Sequence, residues 1–336
     1  MESTEKNIIK KIELARENTF PCEIIITDGQ GRSGKNMISI ILSTMPRVEK
    51  MRLDSLFDYV PRYYTLGKLS RDAAIVALKM EVDEKLYYTM ISRGVNFRFD
   101  DYSGVFKGGK RFLYIKRLFQ KPEEYAVKRI ENEKPIFQNM THDGLQFAQL
   151  FFDAFGIRLK FIHVFRDPVG NIFEQNRRGF GTRIGSDPRE FQLTYQYNNT
   201  FIPIMAEGLE DEYLSGNPTE RLVLMIDKMF RKNIQGFNDL DDKWKGNVFF
   251  IEFEKFAVTP WPYLEKLEKF LNTIVVSRTK SIMKRERCPR KPDISEREQR
   301  IIDIGKKLSQ KYLQIFHALL HDYDQRPWEA WGFDNK

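Results

Sequence analysis

The chain has 336 residues, 41% hydrophobic and 30% charged, with a net charge of +8; it has the apolar content of a globular protein, and its mean field favours anionic ligands. No apolar run approaches the ~20 residues of a bilayer-spanning helix, so no membrane span is expected. Two cysteines, Cys22 and Cys288, exclude a disulfide framework and a four-thiolate zinc site.

In chain order, Met1 to Phe20 is charged throughout and lacks the apolar stretch of a secretory signal, so the expected compartment is the cytoplasm. Asn7 to Arg16 reads as a short amphipathic helix. Glu23 to Thr27 is a β-branched run of the length of a buried strand. Asp28 to Ser33 adds two glycines, and Gly34 to Met45 carries Met37, Ile38, Ile41, Leu42 and Met45 at helical spacing before Pro46 ends it. Arg71 to Arg93 reads as helix, whereas Gly94 to Arg111, with Gly104, Gly108 and Gly109 among aromatics and charges, reads as a loop or lid. Pro135 to Thr141 is a second strand, Asp143 to Phe155 a helix and Arg158 to Phe165 a third strand; Pro168 to Arg177 is a helix opened by its proline. Asn247 to Phe253 is a fourth strand, followed by a helix over Pro260 to Leu271. After a basic loop, one long helix opens with Ser295 and Glu298 in capping-box spacing and carries Ile301, Ile304, Leu308, Tyr312, Ile315, Leu319 and Tyr323 on one face. Strands alternating with helices, without repeat or linker, predict an α/β protein with a doubly wound parallel sheet, and one domain over 1–336.

Ligands of open parallel sheets bind beyond the carboxyl ends of the strands. There stand Gly29 to Lys35, Thr141 with His142, Arg166 with Asp167, and Glu254 with Lys255. Gly29-Gln30-Gly31-Arg32-Ser33-Gly34-Lys35-Asn36 has the spacing G-x-x-x-x-G-K, in which backbone N–H groups and a helix N-terminus cradle a phosphate. Asn36 replaces the Ser or Thr whose hydroxyl holds Mg²⁺ in an ATPase or GTPase. His142, 24 residues before Arg166, is a candidate general base because imidazole titrates near neutrality. His163, in mid-strand, reads as packing, and His317 with His321 as ordinary helix residues rather than metal ligands. Arg166 at a strand end can fork onto a phosphate. Lys284 to Lys291 holds five cations in eight residues, a solvated loop or a cover over a polyanion.

This set resembles the sulfotransferases that use 3'-phosphoadenosine 5'-phosphosulfate (PAPS). Arg32-Ser33-Gly34-Lys35-Asn36 is similar to their 5'-phosphosulfate loop, and Phe161 to Pro168, ending Arg166-Asp167-Pro168, to their 3'-phosphate segment. Thr141-His142 resembles the pair that carries the catalytic base in one branch of the family. Val248 to Glu254, Thr259-Pro260 and Leu264 to Leu271 resemble the downstream strand, proline and helix end. The resemblance spans about residues 22–272 and implies a P-loop NTPase-like three-layer sandwich with a central, mainly parallel sheet flanked by helices, the segment 273–336 packing on that core. Three departures stand out: Glu174 occupies the place of a serine that binds the 3'-phosphate, so that either Asn171 or Arg177 serves or the donor lacks the normal 3'-phosphate contacts; Lys35 stands where the family often has Thr; and no Arg-Lys-Gly occurs in the last quarter.

The resemblance implies sulfuryl transfer from PAPS, with 3',5'-ADP (PAP) as product and no metal, to a hydroxyl or amine of a carbohydrate or small-molecule acceptor. Lys35 first, then Arg32 and the backbone of Ser33 and Gly34, would stabilise the leaving phosphate, with Gly31 and Asn36 also binding the cofactor. His142 would deprotonate the acceptor, Arg166 would hold the 3'-phosphate, and Arg285, Arg287 or Arg290 would close over it. The acceptor is expected under the Gly94 to Arg111 loop and the Arg177 to Arg189 segment, where Asp100 or Asp101 is the reserve base. A P-loop kinase using Asp167 or Glu252 for magnesium and a non-catalytic nucleic-acid-binding protein are the alternatives. No nucleic-acid-binding module is apparent.

Overall fold

The computed structural model describes residues 12–120, 123–183, 187–290 and 294–335. Every residue of β1 (Ile24–Asp28) is buried, as expected of a β-branched strand covered on both faces. It pairs in parallel with β2 (Phe137–Met140) on one side and β3 (Leu159–Phe165) on the other. A short antiparallel hairpin, β4 (Thr194–Tyr197) with β5 (Thr200–Pro203), stands apart. β6 (Val248–Glu252) pairs in parallel with β3 and completes the order β2-β1-β3-β6. The chain leaves β1 for β2 and then returns past β1 to β3, so the loop after β1 lies where the winding reverses, the place such sheets use for ligands.

Alternation along each strand sends side chains to two cores. Ile24, Ile26, Phe137, Phe161, Val248 and Phe250 pack with Phe57, Leu78, Phe151 and Ile226 from the helices Leu56–Thr65, Arg71–Met90, Ala148–Phe155 and Pro218–Asn238. Ile25, Ile162, Val164, Phe249 and Ile251 face the opposite layer, Ile38 and Ile41 of Lys35–Leu42, Phe256 of Phe253–Val258, and Leu264 and Leu267 of Pro260–Phe270. The fold is therefore α/β, a central parallel sheet flanked by helices.

Several elements differ from expectation. Asn7 to Lys11, the start of the expected first helix, lies outside the described residues, and 12–16 is not helical. Gly144–Phe147 is a 3₁₀ turn ahead of Ala148–Phe155. The basic loop begins as a helix, Ser277–Arg285. The single long helix is two, Ile294–Gly305 and Gln310–Asp324. The cause is tertiary: Asn217 Nδ2 donates to the Lys307 carbonyl at 2.8 Å and Glu220 accepts the Ser309 N–H at 2.8 Å, pinning a turn to the start of the Pro218–Asn238 helix. That 21-residue helix was not among the expected elements, although a capping box, Asn217 with Glu220, and Pro218 in the first turn mark its start.

Candidate active site at the strand ends

The loop after β1 requires glycine at two positions. Gly29 has φ +148°, and a Cβ there would lie 2.6 Å from the Val164 carbonyl oxygen; Gly34 has φ +92°, and its Cβ would lie 2.2 Å from the Phe253 ring. Arg32, also left-handed at φ 66°, bears a side chain in a conformation L-residues avoid, as strained loops at functional sites do. The first N–H groups of Lys35–Leu42 lack intrahelical partners and lie at its positive end.

A cavity of about 730 Å³ opens over this loop, lined by Gln30 to Met37, Arg166, Phe253 and Arg290 at one end. Arg166 donates to the Arg32 carbonyl, and its guanidinium lies 4.9 Å from the Phe253 ring centre; Arg290 lies 5.8 Å from the same ring centre. Lys35 Nζ donates to the carbonyl of Gly29 and, at 3.4 Å, to that of Gln30. Burial pulls the Lys35 ammonium below its usual pKa despite Asp28, Asp143 and Asp58 nearby, and burial likewise lowers Arg166. Three buried polar atoms around this loop, Arg32 Nε, Ser33 Oγ and Arg166 Nε, have no hydrogen-bond partner. Such atoms are normally satisfied, so these donors fit an anion and, with the loop N–H groups, the phosphates of a nucleotide.

Glu174 lies in the same place. Its Oε2 accepts from Arg32 Nη2 at 3.2 Å and Arg177 Nη2 at 2.9 Å. Burial disfavours the carboxylate, but the hydrogen bonds from Arg177 and Arg32 outweigh it and hold Glu174 ionised below the usual range. Neither expected substitute contributes at the cavity. Asn171 is buried and donates to Gln30 at 2.7 Å, while Arg177 is engaged with Glu174.

His142 lines the cavity beside Lys35. Its backbone N–H donates to Asp58 Oδ1 at 2.8 Å, its Nδ1 lies 3.0 Å from Asp58 Oδ2, and Arg62 donates to its carbonyl at 3.1 Å. Burial opposes the Asp58 carboxylate, but the His142 ring and Arg62 overcome it and lower its pKa. An Nδ1–H donated to an ionised Asp58 leaves the lone pair on Nε2, the form a general base needs. Asp58 was not singled out in the sequence, because it sits in the Leu56–Thr65 helix, whose pattern is interrupted by Pro61. Behind His142, Asp28 accepts from Thr141 Oγ1 at 2.8 Å, from the N–H groups of Gly144 at 2.7 Å and Leu145 at 3.0 Å, and from His163 Nδ1–H at 2.7 Å. Burial raises Asp28, but His163 and these donors more than reverse it. His163 thus joins a buried hydrogen-bond network around Asp28 that fastens β1, β3 and the segment after β2 at the site's floor.

Of the basic run, Arg290 reaches the cavity, whereas Arg285 and Arg287 do not line it. Arg285 donates to the carbonyls of Phe106 and Lys107, fastening the 94–111 loop. Lys291 lies outside the described residues. Tyr102 of that loop lines the cavity, but Asp100 and Asp101 do not; Asp101 instead accepts from Ser103. From the other expected acceptor segment, Phe180, Arg183 and Arg189 line it, with 184–186 outside the described residues. Asp167 caps Pro168–Arg177 and pairs with Arg297 at 2.6 Å, and Glu252 pairs with Lys255 at 3.1 Å. His317 and His321 are exposed, and among the described residues no cluster of three or more His, Cys, Asp or Glu could hold a metal.

No family model matches the chain, and no curated protein matches it by sequence. Among solved structures it is similar to the sulfotransferase domain from the curacin biosynthetic pathway, at 14% identity and TM-score 0.40 over 77% of this chain and 76% of that one. It is similar to sulfotransferase STF9 from Mycobacterium avium at 10% identity and TM-score 0.37, covering 91% and 80% of the two chains. The sulfotransferase domain from the Synechococcus PCC 7002 olefin synthase has 13% identity and TM-score 0.40, covering 93% and 91%. Identities and scores this low leave the reading of the site to its own residues.

Proposed function

We propose that the chain, acting as one domain, is a PAPS-dependent sulfotransferase acting on a hydroxyl or amine. The observation that carries this is the pairing of two devices in one cavity. One is an anion loop with donors on Arg32, Ser33 and Arg166 that lack a hydrogen-bond partner, Arg166 Nε having Glu254 Oε1 only at 3.9 Å; the other is a histidine, His142, oriented by Asp58. Bound PAPS supplies an activated sulfuryl group. Arg166 and Arg290 hold its phosphates, and Lys35 with the loop N–H groups neutralises charge at the bridging oxygen as the S–O bond to it breaks. His142 Nε2 takes the proton of the acceptor oxygen while that oxygen bonds to sulfur, so the products are a sulfate ester, 3',5'-ADP and a proton on His142.

The kinase alternative is weakened by the residues it would use. Asn36 stands where a magnesium hydroxyl is needed, and Asp167 and Glu252 are paired with Arg297 and Lys255. The test is thermal stabilisation by 3',5'-ADP in EDTA against ATP with Mg²⁺. A ligand at 100 times its dissociation constant adds about 2.7 kcal/mol. The expected order is 3',5'-ADP above Mg-ATP; equal or greater stabilisation by Mg-ATP overturns the proposal.

A further inference from the structure

Beyond the anion loop and His142 the cavity has an apolar wall, faced by polar residues of the 183–193 segment. Met140, Ile204, Met205, Met225, Ile226 and Met229 form that wall, and Met140, Met225, Ile226 and Met229 are buried. Three come from one helix, Pro218–Asn238, which is clamped to both parts of the reaction site. Gln30 of the anion loop donates to the Ile226 carbonyl at 2.8 Å, and Asn233, one turn past Met229, donates to Asp143, the neighbour of His142, at 3.1 Å. The apolar wall therefore begins where the phosphate cradle and the base end. Across the cavity the Tyr59 hydroxyl donates to the Phe191 carbonyl, joining the Leu56–Thr65 helix to the 187–193 segment. Gln192 in that segment lines the cavity and has a buried Oε1 with no partner.

We propose that the acceptor is an apolar alcohol, a single hydroxyl on an aliphatic or ring skeleton that packs against this methionine-lined wall, rather than a sugar. Methionine side chains adapt to skeletons of differing shape and bind them by area removed from water. A sugar would bring several hydroxyls against Met and Ile, which offer them no hydrogen bonds; Gln192 Oε1 can accept from one hydroxyl, and those facing the methionines lose their hydrogen bonds to water. The hydroxyl to be sulfated lies at the polar boundary, within reach of His142. The inference rests on the sulfotransferase reading for what happens to that hydroxyl, but not for the binding itself.

Binding is measured directly by titration calorimetry, with 1-butanol, 1-hexanol and 1-octanol against methyl β-glucoside, each with and without 3',5'-ADP. Affinity should rise about fourfold per added methylene along the alcohols, the value of one buried CH₂, and the glucoside should bind more weakly than 1-octanol. Met205→Glu, at a half-buried position, should weaken 1-octanol binding by about tenfold or more while leaving that of 3',5'-ADP within about twofold. If that variant does not fold, Met205→Gln gives the same readout. A flat alcohol series, tighter binding of the glucoside, or 1-octanol binding indifferent to Met205 overturns the proposal, even if 3',5'-ADP binds. The expected alcohol series without 3',5'-ADP binding supports the apolar site and overturns the sulfotransferase reading instead.

Discussion

Asp58→Asn isolates the contact that makes His142 a base. Asp58 takes two hydrogen bonds from His142, one from the backbone N–H at 2.8 Å and one at Nδ1 at 3.0 Å. An asparagine that keeps the backbone bond through its carbonyl oxygen presents its NH₂ group to Nδ1. The ring then has to accept there and carry its proton on Nε2, leaving no lone pair facing the acceptor. General-base catalysis is worth about 10²- to 10⁴-fold, or about 2.7 to 5.4 kcal/mol of barrier, and the tautomer change should forfeit at least the lower figure. The structural cost is separate: a hydrogen bond to a charged group is worth about 1.5 to 3 kcal/mol, which denaturant titration of the variant measures. The assay is single-turnover transfer from PAPS to a bound alcohol, normalised to folded protein, beside the affinity for 3',5'-ADP. The expected result is a rate loss of about 100-fold or more with 3',5'-ADP affinity within about twofold, since Asp58 lies outside the anion loop. Because Asp58 acts through His142, Asp58→Asn should add little to His142→Ala. A folded Asp58→Asn protein transferring within about threefold of the parent, or losses that add in the double variant, would refute the orientation argument.

Lys35→Ala removes a cation that matters most as charge develops on the leaving group, so turnover should fall about 100-fold while 3',5'-ADP binding weakens less; equal small losses in both would make Lys35 a holding residue only. Arg166→Ala should show the opposite balance, chiefly in discrimination between 3',5'-ADP and 5'-AMP measured by calorimetry. Glu174→Ser removes a carboxylate from among the phosphate-binding arginines and frees Arg32, so 3',5'-ADP should bind about tenfold tighter at low salt; unchanged or weaker binding would place that phosphate elsewhere. Burial, with Asp167 adding to it, pushes the Glu254 carboxyl up to about 7. An acid with a raised folded-state pKa contributes stability that is present below its unfolded value and lost as pH rises through the folded one. The melting temperature should therefore fall between about pH 4.5 and 7 from this group, and Glu254→Gln should flatten that fall; an unchanged profile would show that Glu254 titrates normally.

The pattern of short β-branched runs and glycines was enough to locate β1, β2, β3 and β6 and the loop over Gly29 to Lys35. Fully buried parallel strands and a tight strand-to-helix turn leave local marks, apolar continuity in the first and residues tolerant of positive φ in the second. The same pattern placed His142 and Arg166 at strand ends, because a strand's length and direction fix where its next residue emerges. What stayed hidden depends on residues that meet only after folding. Asp58 reaches His142 across 84 positions of sequence, and Arg32 reaches Glu174 across 142. Local composition does not distinguish Arg290, which lines the cavity, from Arg285, which ties down a loop five positions earlier. The methionine wall comes from β2, the segment after β5 and the Pro218–Asn238 helix; of these only β2 is legible in the sequence, and only as a strand. Side-chain type and period dictate which elements form; which of their polar atoms find partners, and which are left facing a cavity, is decided by packing among distant elements.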